Sequence, residues 1–190
     1  MSTRTLLFSG HRLDAPGRPR PRFPAEAEAR AREAIRAAVE AEIARSPEPL
    51  RGIAGAASGG DILFHEVCGE LGIPTEIHLA KPPAEYVAAS VAGSGPAWVE
   101  RFERLAASRP VHVLEADEAS DLTVWERSNR EMLDAAAEAS GPEGVVLLAL
   151  WNGEGGDGPG GTAGMVEQVE RRGGRAVVLD AKRLLLGDGS

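Results

Sequence analysis

The sequence predicts an α/β protein with a doubly wound, mostly parallel sheet and helices on both faces, and three observations carry that expectation. Short apolar runs alternate with longer stretches of helical periodicity from one end of the chain to the other. The intervening helical stretches are long enough to serve as crossovers, which join parallel strands. The composition is globular, with 43% hydrophobic and 26% charged residues, so a packed core is within reach and wholesale disorder is excluded.

The elements follow in order. Residues 5–9 (TLLFS) read as a buried strand, and residues 10–24 are too rich in Gly and Pro for regular structure. Residues 25–45 are helical, because Ile35, Val39 and Ile43 recur at four-residue spacing and Glu26/Arg30 and Glu28/Arg32 are i,i+4 pairs. Residues 52–54 make a second strand, and a glycine-rich turn (55–60) leads into a helix that runs to about Leu71. A third strand spans 74–79. A long loop at 80–95 has room for a short helical piece, and a helix follows near 96–107. A fourth strand covers 111–114 and a strong helix 122–139. Residues 145–150 (VVLLAL) are the most apolar strand, as expected inside a sheet. A second glycine-rich loop (152–161), a helix (162–172) and a last strand (176–179) complete the pattern.

The 190 residues suit one domain, taken as 1–182, with 183–190 as a short tail. Aromatics are only 4%, so small and aliphatic residues must fill the core. The net charge of -8 argues against a nucleic-acid binder driven by phosphate neutralisation. Cys68 stands alone, which excludes a disulfide framework and a cysteine zinc site and fits a reducing cytosol. The apolar run at the start is too short for a signal peptide or membrane span, so a cytoplasmic protein is expected.

In a doubly wound sheet, ligands bind outside the carboxyl ends of the strands. Three polar or glycine-dense turns fall on that rim, after strands one, two and five. The first is Gly10-His11-Arg12. The second, Gly55 to Asp61, includes Ser58, Gly59 and Gly60; small residues there let backbone N–H groups approach a phosphate at a helix N-terminus. Asp61 either caps the helix or holds a ribose hydroxyl. The third turn ends in Gly160, Gly161 and Thr162, where Thr162 is placed to cap a helix and the glycines free the backbone. Glu167 lies about one and a half turns into that helix, either reaching the pocket or sitting on a solvated face.

The helix from Trp125 to Met132 combines Arg127, Asn129 and Arg130, and Asn inside a helix points to a buried hydrogen-bonding role. Arg18, Arg20 and Arg22 form a basic loop, read as solvated ahead of phosphate-clamping. His65-Glu66 lacks the second histidine of a zinc-protease helix, and His78 and His112 are read as structural residues within strands. No metal site or cofactor is expected. The turn at 55–61 is not GxGxxG, a Walker lysine is missing, and no serine has nucleophile-elbow flanks.

Together these motifs resemble the SLOG superfamily of Rossmann-like nucleotide-binding domains, which includes the LOG phosphoribohydrolases and the DprA DNA-processing proteins. The segment Pro159-Gly160-Gly161-Thr162-Ala163-Gly164-Met165-Val166-Glu167 is similar to the LOG signature PGGxGTxxE, with Ala163 in place of the third Gly and Gly164 in place of its Thr. Gly55 to Asp61 looks like the GGARGAD turn of other branches. Asn129-Arg130-Glu131-Met132 resembles an Arg-Asn-x-x-Met helix, with Ser128 at the Arg position and Arg127 beside it. The opening SGHRLDAPGRPRPRFP is similar to SLOG domains found beside tetratricopeptide repeats. The resemblance implies a nucleotide or nucleotide-derived ligand at the sheet edge, bound or sensed. The alternative it implies is a phosphoribohydrolase, with Glu167 activating water and Arg127 or Arg130 holding the phosphate. It also implies a homodimer, which the alanine-rich helices at 25–45 and 122–139 are suited to form. The expected partner is a nucleotide-type small molecule; neither nucleic acid nor membrane is expected.

Overall fold

A computed structural model describes residues 3–15, 17–117, 119–154 and 160–186. Its centre is a six-stranded, all-parallel sheet in the order β4-β3-β2-β1-β5-β6. The strands are β1 (Arg4–Gly10), β2 (Leu50–Ala54), β3 (Thr75–Leu79), β4 (Val111–Val113), β5 (Val145–Trp151) and β6 (Arg175–Asp180). The helices are α1 (Glu28–Arg45), α2 (Gly60–Glu70), α3 (Pro83–Ser90), α4 (Pro96–Ala106), α5 (Val124–Ser140), α6 (Thr162–Arg171) and α7 (Ala181–Leu186). The architecture is Rossmann-like.

Alternation along the strands divides the core in two. Leu6, Phe8, Ile77, Leu79, Val146 and Leu148 face a layer that includes α1, α2 and α4. Leu7, Ile53, Leu147 and Ala149 face α5 and α6. β5 is interior and buried on both faces from Val145 to Leu150, which explains its unbroken apolar run. The buried side chains of α1 and α5, the helices expected to meet a second copy, include Ile35, Val39, Met132 and Leu133, all packed in these cores.

Tertiary partners override some local expectations. Glu28 is bonded by Arg101 of α4 at 2.7 Å, and Arg32 reaches Glu66 and Glu70 on α2. These cross-helix pairs link α1 to α2 and α4 and take the place of the expected Glu28/Arg32 pair. The short helical piece for which the 80–95 loop has room is α3, a two-turn helix started by Pro83. The helix α7 runs across the expected boundary between domain and tail; its Ala181 is buried against the first core and its Leu184 carbonyl accepts from Arg30. Among the described residues, no helix is long and apolar enough to cross a membrane.

Candidate functional site

The strand order reverses between β1 and β5: β2, β3 and β4 extend to one side of β1, and β5 and β6 to the other. Such switch points open a crevice at the carboxyl ends of the strands. A cavity of about 440 Å³ occupies that position, within the size range of small-molecule sites. Its walls come from the ends of β1, β2, β3 and β5, from α3 and α5, and from the start of α6.

The turn after β1 is laced to the turn after β2. Leu13 N–H donates to the Ser58 carbonyl at 2.9 Å, Gly60 N–H donates to the His11 carbonyl, and Arg12 and Gly59 form an antiparallel bridge. Gly59 has φ 103°, and a Cβ there would lie 2.7 Å from the Leu13 nitrogen. A Cβ on Gly10 or Gly60 would press on the Phe8 ring at 2.9 Å. These glycines are therefore accounted for by the chain crossing itself, a reason distinct from the expected approach of a phosphate. Ser58 also turns inward, sharing a hydrogen bond with Ser94 Oγ at 2.6 Å and donating to the Ser90 carbonyl.

His11 is buried, and its Nε2 accepts the Asn152 N–H at 3.2 Å, tying the end of β1 to the end of β5. Arg12 remains exposed on the cavity wall, its guanidinium donating to the Ala89 carbonyl at 2.8 Å.

The sequence expectation for Asp61 is a cap on α2 or a bond to a ligand hydroxyl. The N-cap is Gly59, and it makes no side-chain cap. The Asp61 carboxylate bends back to accept the Ala57 N–H at 3.2 Å, in the cavity wall between Gly55 and Tyr86. Burial pushes its carboxyl up to about 7, against the opposing pull of the Ala57 N–H and the Arg12 guanidinium. A Cβ on Gly55 would meet Asp61 Oδ2 at 2.7 Å and the Tyr86 hydroxyl at 2.9 Å, so only glycine leaves room for this pair. The Tyr86 hydroxyl accepts the Ala56 N–H at 3.1 Å, and burial with the neighbouring Asp61 pushes its pKa upward.

On the other side, Gly161 is the N-cap of α6, again without a side-chain cap. Thr162 is inside the helix, and its Oγ1 shares a hydrogen bond with Ser9 Oγ at 3.1 Å in place of the expected cap. Gly160 has φ 88° and packs on the first turn of α5, where a Cβ would lie 2.9 Å from the Glu126 nitrogen. Asn129 donates to the Gly160 carbonyl at 2.7 Å, so the hydrogen-bonding role expected of this helical Asn is to hold the loop against α5. The middle of that loop, residues 155–159 with Pro159, lies outside the described residues.

The cavity therefore brings together Gly10, His11, Arg12, Gly55, Asp61, Asn129, Gly160, Gly161 and Thr162. Ser58, Gly59 and Gly60 lie behind its wall. Trp125, Ser128, Asn129 and Met132 recur at the spacing of one helix face and line the cavity. Arg127 and Arg130 fall off that face: Arg127 donates to the Glu115 carbonyl and Arg130 is exposed. Glu167 is on the solvent side of α6, 71% exposed and bonded by Arg171 at 2.6 Å.

Sequence reasoning missed Tyr86 and gave Trp125 no part in the site, though both line it, as does Trp151 at the start of the turn after β5. Tyr86 sits in the stretch read as a loop with room for a short helical piece, and α3 brings it to the turn after β2. Arg22, from the basic loop read as solvated, also reaches the cavity wall. His65 does not. Burial pushes it down to about 4, and its two nitrogens are bonded to Thr75 Oγ1 at 2.9 Å and the Gly55 carbonyl at 2.8 Å.

The fold and cavity define a Rossmann-like α/β protein with a cavity at the switch point of its sheet. Compared with protein-family models and with curated proteins, the chain matches none.

Proposed function

We propose that this cavity binds a phosphorylated nucleoside or nucleotide-derived compound and that the protein is a binding or sensing module of the SLOG type. One observation carries the reading: the N-terminus of α6, not closed by a side-chain cap, opens on a cavity that also presents Arg12 and Arg22. Uncapped helix N-termini and guanidinium groups both favour an anion. Phosphate is assigned to the Gly161–Thr162 turn and Arg12. Trp125, exposed at the rim and tilted against Tyr86 with 6.2 Å between ring centroids, offers a surface for a base. Asp61 offers a hydrogen bond to a ribose hydroxyl.

A thermal-shift panel of AMP, ADP, ADP-ribose and cyclic nucleotides tests the reading. A ligand at 100 times its dissociation constant adds about 2.7 kcal/mol of stability, which is easily visible. No shift with any member at millimolar concentration overturns it.

A phosphoribohydrolase is the second reading, and the observation favouring it is Asp61. A cavity carboxyl with a pKa raised to about 7 is suited to general acid–base work. In this reading Asp61, and not Glu167, handles the proton. Release of free base from AMP that survives Asp61→Asn refutes it.

A further inference from the structure

Beside the cavity, β3 and β4 place three ligand-type side chains on one face. Glu76 and His78 are two residues apart on β3 and project to the same side, opposite Ile77 and Leu79. His112 of β4 is paired directly with His78 in the parallel register. The two imidazoles lie 4.6 Å apart between centroids. One donor atom from each of Glu76, His78 and His112 falls within 4.8 Å of the others.

His78 is the telling member. It is only 5% exposed, yet neither ring nitrogen has a hydrogen-bond partner. Leaving buried polar atoms unpaired forfeits their solvation with nothing in return, and native structures rarely tolerate it without a reason. The Glu131 carboxylate of α5 stands 3.5 Å from His78 Nδ1 without forming a hydrogen bond. Arg51 holds one oxygen of Glu76, and the other faces His112 Nε2 at 3.3 Å. Arg51 thus orients Glu76 as an outer partner orients a metal ligand. His112 is 47% exposed, so the cluster opens to solvent on one side, while His78 lines the cavity on the other.

We propose that Glu76, His78 and His112 bind a first-row divalent cation of the zinc class, with Glu131 available as a fourth ligand. Two imidazoles with carboxylate oxygen suit such an ion better than magnesium or calcium, which prefer all-oxygen sets. The site needs no nucleotide, and its test uses the metal alone, so its failure is distinct from failure of the binding reading.

The test is a Co²⁺ titration of the untagged, chelator-stripped chain, read by visible d–d absorption and followed by displacement with Zn²⁺. One equivalent is expected to bind, with the intense absorption of a four-coordinate site. His112→Ala is the principal variant, because a half-exposed ring leaves without opening the core. It should weaken binding by about 100-fold or more, since loss of outer partners alone costs roughly 10–100-fold. Glu76→Gln should weaken it in the same direction. Absence of binding at about 1 mM Co²⁺, a concentration that saturates any specific site of this kind, overturns the proposal. So does unchanged affinity in His112→Ala.

Discussion

Replacing Asp61 with asparagine keeps the shape of the side chain and removes one ionisation, which makes it the cleanest probe of the cavity. The unfolded chain releases the Asp61 proton near the ordinary value of 3.8, while the folded chain holds it until about 7. Between those values the folded state binds more protons than the unfolded state, so the contribution of Asp61 to stability falls as pH rises. Below the window both states are protonated, and above it both are ionised and the loss is complete. At about 1.4 kcal/mol for each pH unit, the span from 3.8 to about 7 gives a ceiling of about 4 kcal/mol. The substituted amide does not titrate, so the stability of Asp61→Asn relative to the parent should climb from about pH 4 to about pH 7 and then level off. Urea denaturation at half-unit pH steps, with both proteins in the same buffers, measures that difference curve. A curve that stays flat across the window would show that the carboxyl is ionised and solvated in the folded protein. It would also remove the basis for assigning Asp61 to proton handling.

Two further sets of substitutions test how the cavity and the sheet are held. Gly160→Ala should lose about 1–3 kcal/mol in urea denaturation, from a left-handed backbone and a clash with α5. Gly161→Ala, at φ -75°, should stay within about 0.5 kcal/mol of the parent while weakening ligand binding. Equal losses in the two variants would contradict the geometry of the loop. Glu42 is 2% exposed and is bonded by Arg4 of β1 at 2.7 Å and by Arg175 of β6 at 2.5 Å. Burial opposes its charge, but the two arginines outweigh burial and hold its carboxyl below the ordinary range. Glu42→Gln should therefore cost about 2 kcal/mol at neutral pH, and the cost should shrink as pH falls and the parent carboxylate is protonated. A pH-independent difference would show that packing, not charge, sets the effect.

The order and type of the main elements were legible in the sequence because they rest on local periodicity. The doubly apolar run at β5, the four-residue spacing along α1 and the turn residues between elements each report on their own segment. The rim of the sheet was legible for the same reason: once strands are parallel, the turns after β1, β2 and β5 share an edge. What stayed hidden depends on contacts between segments far apart. A glycine in sequence says only that a β-carbon is unwelcome there. Tertiary structure decides whether the obstacle is a ligand or, as at Gly59 and Gly160, another turn of the same chain. Helix phase likewise settles Glu167. It follows the buried Thr162 by five residues, roughly 140° around the helix, and so faces solvent while Thr162 faces Ser9. Asp61 has an ordinary carboxyl in the unfolded chain, and only the enclosure formed with Gly55 and Tyr86 raises its pKa. The pairing of His78 with His112 is more remote still, because it depends on which strands become neighbours and in what register. The sequence by itself determined what each segment is, through forces acting over one or two turns of chain. Only the tertiary structure decided what each side chain meets, because burial, desolvation and close approach are properties of the assembled sheet and its crevice.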